Sequence, residues 1–588
     1  MKDRREFLKK MAMIFSAQHE ESAAHIKQTS YCSDNILGNN LWERMIENKK
    51  NDAKLSKLID LLISSAKSDI KINVLKRNLQ GGRLLSVSRE FVRRILQWSF
   101  AFRLTGDSLF LDRLKLEIEN VIFFDDWNPN HFLDVAEIVA GISISWDWIF
   151  DFVDDDFRAK VADAIVKKGL MHVENGHKTF GYKNNWSQVC IGGMALGAVT
   201  VRNYFPDVSR KVIDQALFFI ENSLKIYEPD GVYPEGPSYW SYGTIYSLFF
   251  LLTLRGRKDI NGAVTNSFLK SSYFYAQSIG PSGLCFNFSD SMDVAELSPA
   301  LAFFSSHLHD ISVFSPIEVI IEKFGWNLDR FSTILALWWP NINKYEKKKV
   351  LSDNFIGGGP QQVAIKRFNF NDDLGWVAIK GGGANITHAH MDAGSFVFDA
   401  MGVRWAKDLG MQNYYSLESA GLSLWDGSQN SERWSVYRIG PFSHNTITIN
   451  QKKHNVSGFA EIKMVGENVF EINMSSVLGV PLATRKFIFS ESHFSIIDTI
   501  ENGSIGDVVR WAMCTEANII LNGLNASMSI GGKLVYVVFS GEIDSVDVFD
   551  ISLPKNSFDS NNNGVNQLVV SGSIKNNLPF IIEAKFFW

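Results

Sequence analysis

Cysteine is scarce in this chain. There are four in 588 residues, Cys32, Cys190, Cys285 and Cys514, widely separated and with no CxxC pair. That excludes a disulfide framework and a thiolate metal site as organising features. Charge of one sign is also lacking: 59 Lys and Arg stand against 64 Asp and Glu, for a net charge of −5. Such a balance gives no global attraction to nucleic acid or to an anionic membrane. An acidic substrate would need a local basic patch. No apolar run approaches the roughly 20 residues of a membrane span. No strict internal repeat is present, which argues against a regular solenoid.

What is there is apolar and aromatic. Hydrophobic residues make up 46% and charged residues 21%, the profile of a globular protein too long for one core. Aromatic residues reach 13%, with 16 Trp and 44 Phe, which suits either large helical cores or sugar-stacking surfaces. The N-terminal stretch "DRREFLKKMAMIFSA" has the look of a twin-arginine export signal, with Arg4, Arg5, Phe7, Leu8 and Lys9 in place. Its apolar part, Met11 to Ala17, is short, so a charged N-terminal segment is the competing reading. The first predicts a periplasmic or secreted protein, the second a cytoplasmic one. Residues 1–50 are read as this segment.

Two textures divide the rest. Over 51–345, apolar residues recur at helical spacing, as in "SREFVRRILQWSFAFRLTGD" (88–107), "DVAEIVAGISISWDWIFDFV" (134–153) and "WSQVCIGGMALGAVTVRNYF" (186–205). Successive apolar helices without strand signals predict stacked helical hairpins: a bundle, a solenoid or a toroid. Over 346–588, short Val/Ile/Phe-rich segments such as "QVAIKRF" (362–368), "GWVAIK" (375–380), "FSIIDTI" (494–500) and "KLVYVVFS" (533–540) alternate with Gly, Asn, Asp and Ser. These predict an antiparallel β-sandwich. The long polar and aromatic gap from 403 to 443 is expected to be functional.

The stretch "ITHAHMDAGSF" (386–396) carries the densest chemistry. Read as a strand, it places His388, His390 and Asp392 on one face. Two imidazoles and a carboxylate suit zinc. "RWAKDLG" (404–410) adds Asp408, and "PFSHNTITIN" (441–450) adds His444. His390, Asp408 and His444 then form a plausible ligand set, leaving His388 free. In the helical half, "GYKNNWSQVC" (181–190) offers Asn184 and Asn185, either as helix caps or as amide donors in a cleft. "PDGVYPEGPSYWSYGT" (229–244) holds Glu235, Tyr239, Trp240 and Tyr242, and "CFNFSD" (285–290) holds Asp290.

In their order, "NNW", "YPEGPSYWSYGT", "FNFSDS", "THAHMDAGSF", "RWAKDLG" and "SHNTITIN" resemble the heparinase II/III-like polysaccharide lyases. The last three, in sequence, are the specific part. The resemblance implies a multidomain α+β fold, an incomplete (α/α) toroid followed by an antiparallel β-sandwich, with the cleft between them. It implies a carbon–oxygen lyase that cleaves a uronic-acid polysaccharide by β-elimination. Asn185 would neutralise the substrate carboxylate. Tyr239 would be the catalytic tyrosine, with Tyr242 the competing assignment, and His388 would handle a proton from the opposite ring face. A tyrosine in either role needs its phenol pKa lowered from about 10. Glu235, Trp240, Asp290, Tyr414, Tyr415 and Arg433 would line the substrate cleft. Arg93, Arg94 and Arg438 are further candidates for binding anionic groups, with surface ion pairs as the alternative. His390, Asp408 and His444 would hold one structural Zn²⁺. Where the heparinase II branch has a histidine in its helical domain, this chain reads Asn184, Asn185, Trp186, so its uronate epimer is open.

The partner implied is an acidic polysaccharide or oligosaccharide, with no nucleic acid and no membrane span. A homodimer stays open, because oligomeric state leaves no mark in the sequence. Two other functions compete. A glycoside hydrolase needs two carboxylates flanking the bond, and Glu235 and Asp290 are the pair available. A non-catalytic acidic-sugar-binding protein could share the fold.

Overall fold

The computed structural model describes residues 36–38, 40–255, 264–342, 350–370 and 373–588. The twin-arginine-like stretch and Cys32 lie outside the described residues. The helical half runs from Leu41–Lys49 to Ser332–Trp338, the first strand is Asn354–Gly357, and the short helices Tyr414–Ser419 and Ser475–Leu478 lie among the strands. The helix Leu41–Lys49 belongs to the helical core and not to a separate N-terminal segment: Trp42 packs edge-on against Trp148 with ring centroids 5.3 Å apart. No helix among the described residues is long and apolar enough to cross a membrane.

The helices form two concentric layers. Leu85–Thr105, Leu133–Ile149, Asn185–Val201 and Pro237–Thr253 pack one on the next as an inner wall. Ser108–Ile122, Asp155–Lys168 and Pro206–Leu224 alternate with them outside. The sequence shows why. Three of the inner helices are apolar all round, and every residue of Leu133–Ile149 is buried, while Leu85–Thr105 keeps Arg89, Glu90, Arg93 and Arg94 partly exposed. Outer helices bury one stripe, such as Val212, Ala216 and Ile220 in Pro206–Leu224. Close packing of the inner wall rests on "IGGMALG". A β-carbon on Gly192 would sit 2.4 Å from the Tyr246 carbonyl, and one on Gly193 would sit 2.6 Å from that of Ala136.

The C-terminal half is antiparallel throughout. Strands β1 (Asn354–Gly357), β2 (Val363–Phe370), β3 (Asp373–Lys380), β4 (Phe396–Ala400) and β5 (Val403–Ala406) form a five-stranded meander. An eight-stranded sheet is built from strands between Glu461–Gly466 and Phe580–Phe587. A four-stranded sheet joins Ile447–Ile449, Val508–Thr515, Asn566–Ser573 and Ser545–Asp550. The meander is buried on both faces. Val363, Ile365, Trp376 and Ala378 point into the helical core, while Ala364, Val377, Ile379 and Phe396 point into the sandwich core. The period-two alternation of β2 and β3 thus joins the domains. Polar bonds reinforce the join: the Trp376 indole donates to the Gln277 carbonyl at 3.1 Å, and Arg404 Nη1 donates to the Cys285 carbonyl at 3.1 Å.

One local expectation fails. Residues 387–395 are not a strand; β4 begins only at Phe396. His388 has φ +67°, a left-handed conformation a histidine adopts only when its surroundings hold it there. Its carbonyl accepts the Asp290 N–H at 3.1 Å, and the next carbonyl, Ala389, accepts Arg433 Nη2–H at 3.1 Å. Asp392 consequently leaves the histidine face and pairs with buried Lys380 at 3.3 Å.

Candidate functional site

A cavity of about 1030 Å³ opens between the helical wall and the sheet domain. Asn184, Asn185, Tyr239 and Tyr242 line it from the helices, and Asp290, His388, Tyr414, Tyr415, Trp425 and Arg433 line it from later segments.

The two asparagines divide their work. Asn184 is the cap of Asn185–Val201, its side chain accepting the Trp186 N–H at 3.1 Å. Asn185 is the first residue of the helix. Its backbone N–H donates to Glu235 Oε2 at 2.7 Å, and its amide Nδ2 lies 3.1 and 3.2 Å from the two Glu235 oxygens. A carboxylate at a helix N-terminus meets unpaired N–H groups and the positive end of the helix dipole. Burial still dominates and raises the Glu235 pKa, offset in part by His388 and Asn185.

Tyr239 sits in the first turn of Pro237–Thr253. Its ring stacks on His388 with centroids 4.2 Å apart and planes 19° from parallel. Its hydroxyl bonds the Tyr414 hydroxyl at 2.8 Å, and the Tyr414 hydroxyl lies 3.0 Å from His388 Nδ1. That nitrogen also bonds Asp290 Oδ2 at 3.0 Å, while His388 Nε2 lies 3.4 Å from Glu235 Oε1. Asp290 is the hub of the site. It also takes a bond from His390 Nε2 at 3.0 Å and from Arg433 Nη2 at 2.8 Å. Burial alone would raise its pKa, but Arg433 and the two histidines hold it well below the usual carboxylate range. Burial, with the Asp290 charge, pushes the Tyr239 phenol upward and the Tyr414 phenol well upward.

Several sequence expectations change here. The Tyr239 phenol is raised, not lowered, so it stays protonated in the resting site. Stacking at 4.2 Å leaves no room for a sugar between Tyr239 and His388, so they do not address opposite ring faces. Tyr242 lies one turn deeper, its ring between Arg89 and Arg330, whose guanidinium carbons stand 4.8 and 5.3 Å from its centroid. It contacts neither His388 nor Tyr414. Trp240 does not reach the cavity: it is fully buried and stacks on Tyr275 at 4.4 Å. Glu235 lies behind the cavity wall as a partner of Asn185 and His388. Glu235 and Asp290 both face His388, so they do not flank a sugar bond from two sides.

The arginines also redistribute. Arg93 pairs with Glu90 and Asp69, Arg94 with Glu90, and Arg438 with backbone carbonyls and Asn562. None of these lines the cavity. Arg83, Arg89 and Arg330 do, and sequence reasoning missed them. Trp425 was missed too. It meets His388 edge-on at 5.5 Å, and its only sequence signal was the long aromatic loop. On the helical side, Trp186 packs edge-on against His131 at 4.8 Å and supplies a facing aromatic wall.

Behind His388, the side chains of His390, Asp408 and His444 converge, with ligand atoms all within 4.8 Å of one another. All three are buried. His444 Nδ1 bonds Asp408 Oδ2 at 2.9 Å. His390 Nδ1 and His444 Nε2 are buried nitrogens with no hydrogen-bond partner. Asp290 fixes the other nitrogen of His390, as an outer-shell carboxylate does for a ligating histidine. The donors fit a metal by chemistry and by these orphaned atoms.

Comparison with known proteins places this architecture. Residues 370–542 match the family model described as heparinase II/III-like, C-terminal. An exo-oligoalginate lyase from Saccharophagus degradans is 22% identical over 281 residues, 46% of this chain. The alignment spans 37% of that relative's length. In fold, the chain is similar to a heparinase III, the BT4657 gene product, with a TM-score of 0.57 at 12% identity over 90% of this chain and 83% of that one. It is also similar to heparan sulfate lyase HepC from Pedobacter heparinus, with a TM-score of 0.56 at 12% identity over 99% and 88% of the two chains. The resemblance read from the sequence is borne out over residues 370–542, which are similar to the heparinase II/III-like C-terminal family, and the chain as a whole shares the fold of these solved structures.

Proposed function

We propose that the protein is a polysaccharide lyase that cleaves a uronic-acid-containing acidic oligo- or polysaccharide by β-elimination. The observation that carries this reading is the stacked Tyr239–His388 pair, backed by Asp290 and Tyr414 and facing the cavity beside Asn185. It sets an acid and a base side by side, on one face of a sugar that would bind there.

The roles follow from the bonds each group already makes. Ionised Asp290 accepts the His388 Nδ1–H, which leaves the lone pair on Nε2. His388 is therefore the base that removes the C5 proton. The C5–H electron pair forms the C4–C5 double bond as the C4–O bond breaks. Tyr239, protonated at rest, gives its proton to the departing O4. Tyr414 donates to the oxygen left behind, and solvent resets both groups. With acid and base stacked side by side, the C5–H and C4–O bonds that break lie on the same face of the ring.

Carbanion character at C5 needs the C6 carboxylate neutralised. Asn185 Nδ2 carries two hydrogens, and one serves Glu235. The other is available to the substrate carboxylate, a preorganised donor of the kind that commonly contributes about 3–4 kcal/mol to a transition state. Glu235, 3.4 Å from His388 Nε2, stabilises the imidazolium as it forms.

His390, Asp408 and His444 would hold Zn²⁺. A bound zinc would supply rigidity, tying β5 and the segment before Ile447–Ile449 to the loop that carries His388. The chemistry stays with His388 and Tyr239.

The test is near-ultraviolet absorbance of an unsaturated uronate on a panel of acidic polysaccharides and their oligomers. Wild type should give a rise with at least one substrate, and His388→Ala and Tyr239→Phe should each slow it by about a hundredfold or more. New reducing ends without that absorbance would overturn elimination and favour a hydrolase.

A further inference from the structure

The cavity is bridged at its rim by an ion pair between the helical half and the helix that carries Tyr414. It begins at a tight turn, Gln80 to Arg83. Gln80 N–H donates to the Arg83 carbonyl at 2.8 Å, and Arg83 N–H donates back at 3.1 Å. Gly81 and Gly82 have φ of +57° and +77°, the mirror-image turn geometry that glycine adopts without strain. The turn projects Arg83 across the cleft. There its two Nη atoms make a paired contact with the Glu418 carboxylate at 2.6 and 2.9 Å.

Glu418 lies on the short helix Tyr414–Ser419, whose first residue bonds Tyr239. Its Oε1 also accepts the Trp425 indole N–H at 3.2 Å. Beside it, the Tyr415 ring abuts the turn: a β-carbon on Gly81 would stand 2.6 Å from Tyr415 Cδ2. Residues 412–434 therefore form a strap that leaves the sheet domain, crosses the cleft and is pinned to the helical domain. Other bonds hold the domains together. Trp376 and Arg404 bond the helical side from buried positions, and Arg367 Nη2 donates to the Ile279 carbonyl at 2.8 Å. Breaking the Arg83–Glu418 pair thus releases the rim of the strap at Glu418 and Tyr415, while the Tyr414–Tyr239 bond and buried Leu417, Leu424 and Trp434 keep its base in place and the domains stay docked.

We infer that the Arg83–Glu418 pair is a latch that closes one side of the cleft and turns it into a pocket for chain ends. Resting on the lyase reading, this makes cleavage exolytic. A chain cut internally must enter and leave the site, which needs a groove open on two sides. The latch brings Gln80 and Arg83 of the helical side and Tyr415 and Trp425 of the strap together on the wall of the cavity of about 1030 Å³.

The experiment uses the full chain, Arg83→Gln, Glu418→Gln and the charge-swapped Arg83→Glu/Glu418→Arg. Each is given the cleaved polysaccharide while viscosity and unsaturated ends are followed together. Strap accessibility is read by limited proteolysis and hydrogen exchange. Wild type should release small products from the start with a slow fall in viscosity. Each single variant should lose strap protection and show a several-fold larger viscosity fall per bond cleaved. The swap should recover both. Mid-sized fragments from wild type at early times would overturn the latch. So would an unchanged size distribution in single variants whose strap has opened. If no unsaturated product forms on any substrate, the lyase reading fails. The latch is then decided by accessibility alone, and equal strap protection in wild type and single variants would overturn it.

Discussion

Replacing Asp290 by Asn tests the organisation of the site most directly. Asp290 is fully buried and ionised, and it accepts from His388, His390 and Arg433 at 3.0, 3.0 and 2.8 Å. Asn is nearly isosteric, so the change removes charge and one acceptor and creates no cavity. Hydrogen bonds to a charged group contribute about 1.5–3 kcal/mol each. Asn retains one acceptor oxygen, which at the Oδ2 position still serves His388 and Arg433 but turns an amide N–H₂ toward His390. Arg433 is then a buried cation without its carboxylate, and breaking a buried pair costs about 3–5 kcal/mol. Relaxation of Arg433 onto the Ala389 carbonyl, which it already bonds, offsets part of this. The expected loss is about 3 kcal/mol. His388 also loses the partner that fixes its tautomer. By analogy with the orienting aspartate of a Ser-His-Asp triad, turnover should fall roughly 10³–10⁴-fold. Urea unfolding followed by tryptophan fluorescence reads the first quantity, and initial rates of unsaturated-product formation read the second. A variant within about 1 kcal/mol of wild type, a typical effect for an ordinary substitution, and within tenfold in rate would refute Asp290 as the hub.

The other predictions are separable. Tyr239→Phe should lower turnover by about 10²–10⁴-fold, the usual contribution of a general acid, with little change in stability. Tyr242→Phe should retain most activity, since its ring packs between Arg89 and Arg330, away from the Tyr239–His388 pair; equal loss in both would reverse the assignment. Elemental analysis should find one zinc per chain, absent in His444→Ala, and chelation should lower the unfolding temperature of wild type but not of that variant. Glu137 is buried, and although burial raises its pKa, Arg330 and Arg89 bring it below its ordinary value. A depressed carboxylate stabilises the fold above its unfolded pKa, about 4.3, and that contribution is lost as pH falls through the lower folded value. Glu137→Gln should therefore be less stable than wild type at neutral pH, with the gap narrowing below about pH 4. A pH-independent gap in urea midpoints would contradict the linkage.

The sequence alone determined the two halves of the chain and the motifs of the site. Helical spacing of apolar residues in 85–105, the long apolar runs of 133–149, 185–201 and 237–253, and the Val/Ile/Phe segments after 350 report local burial, and burial pattern is what a linear sequence records. The convergence of His390, Asp408 and His444 was legible because each sits in its own short polar motif against an apolar background.

What the sequence did not determine depends on contacts between distant segments. The conformation of 387–395 is one case. Its alternating residues read as a strand, but Asp290 and Arg433 bind its carbonyls and hold His388 at positive φ. Trp240 is another: three of its neighbours in sequence line the cavity, yet its own position on the helix turns it to the core. The tyrosine choice, the shared face of Tyr239 and His388, and the cations Arg83, Arg89 and Arg330 were likewise decided in the tertiary structure. So was the direction of the Tyr239 pKa, which is raised because burial outweighs the Tyr414 hydrogen bond. A side chain's type is written in the sequence, but the desolvation and the partner that set its charge come from residues 50 to 175 positions away.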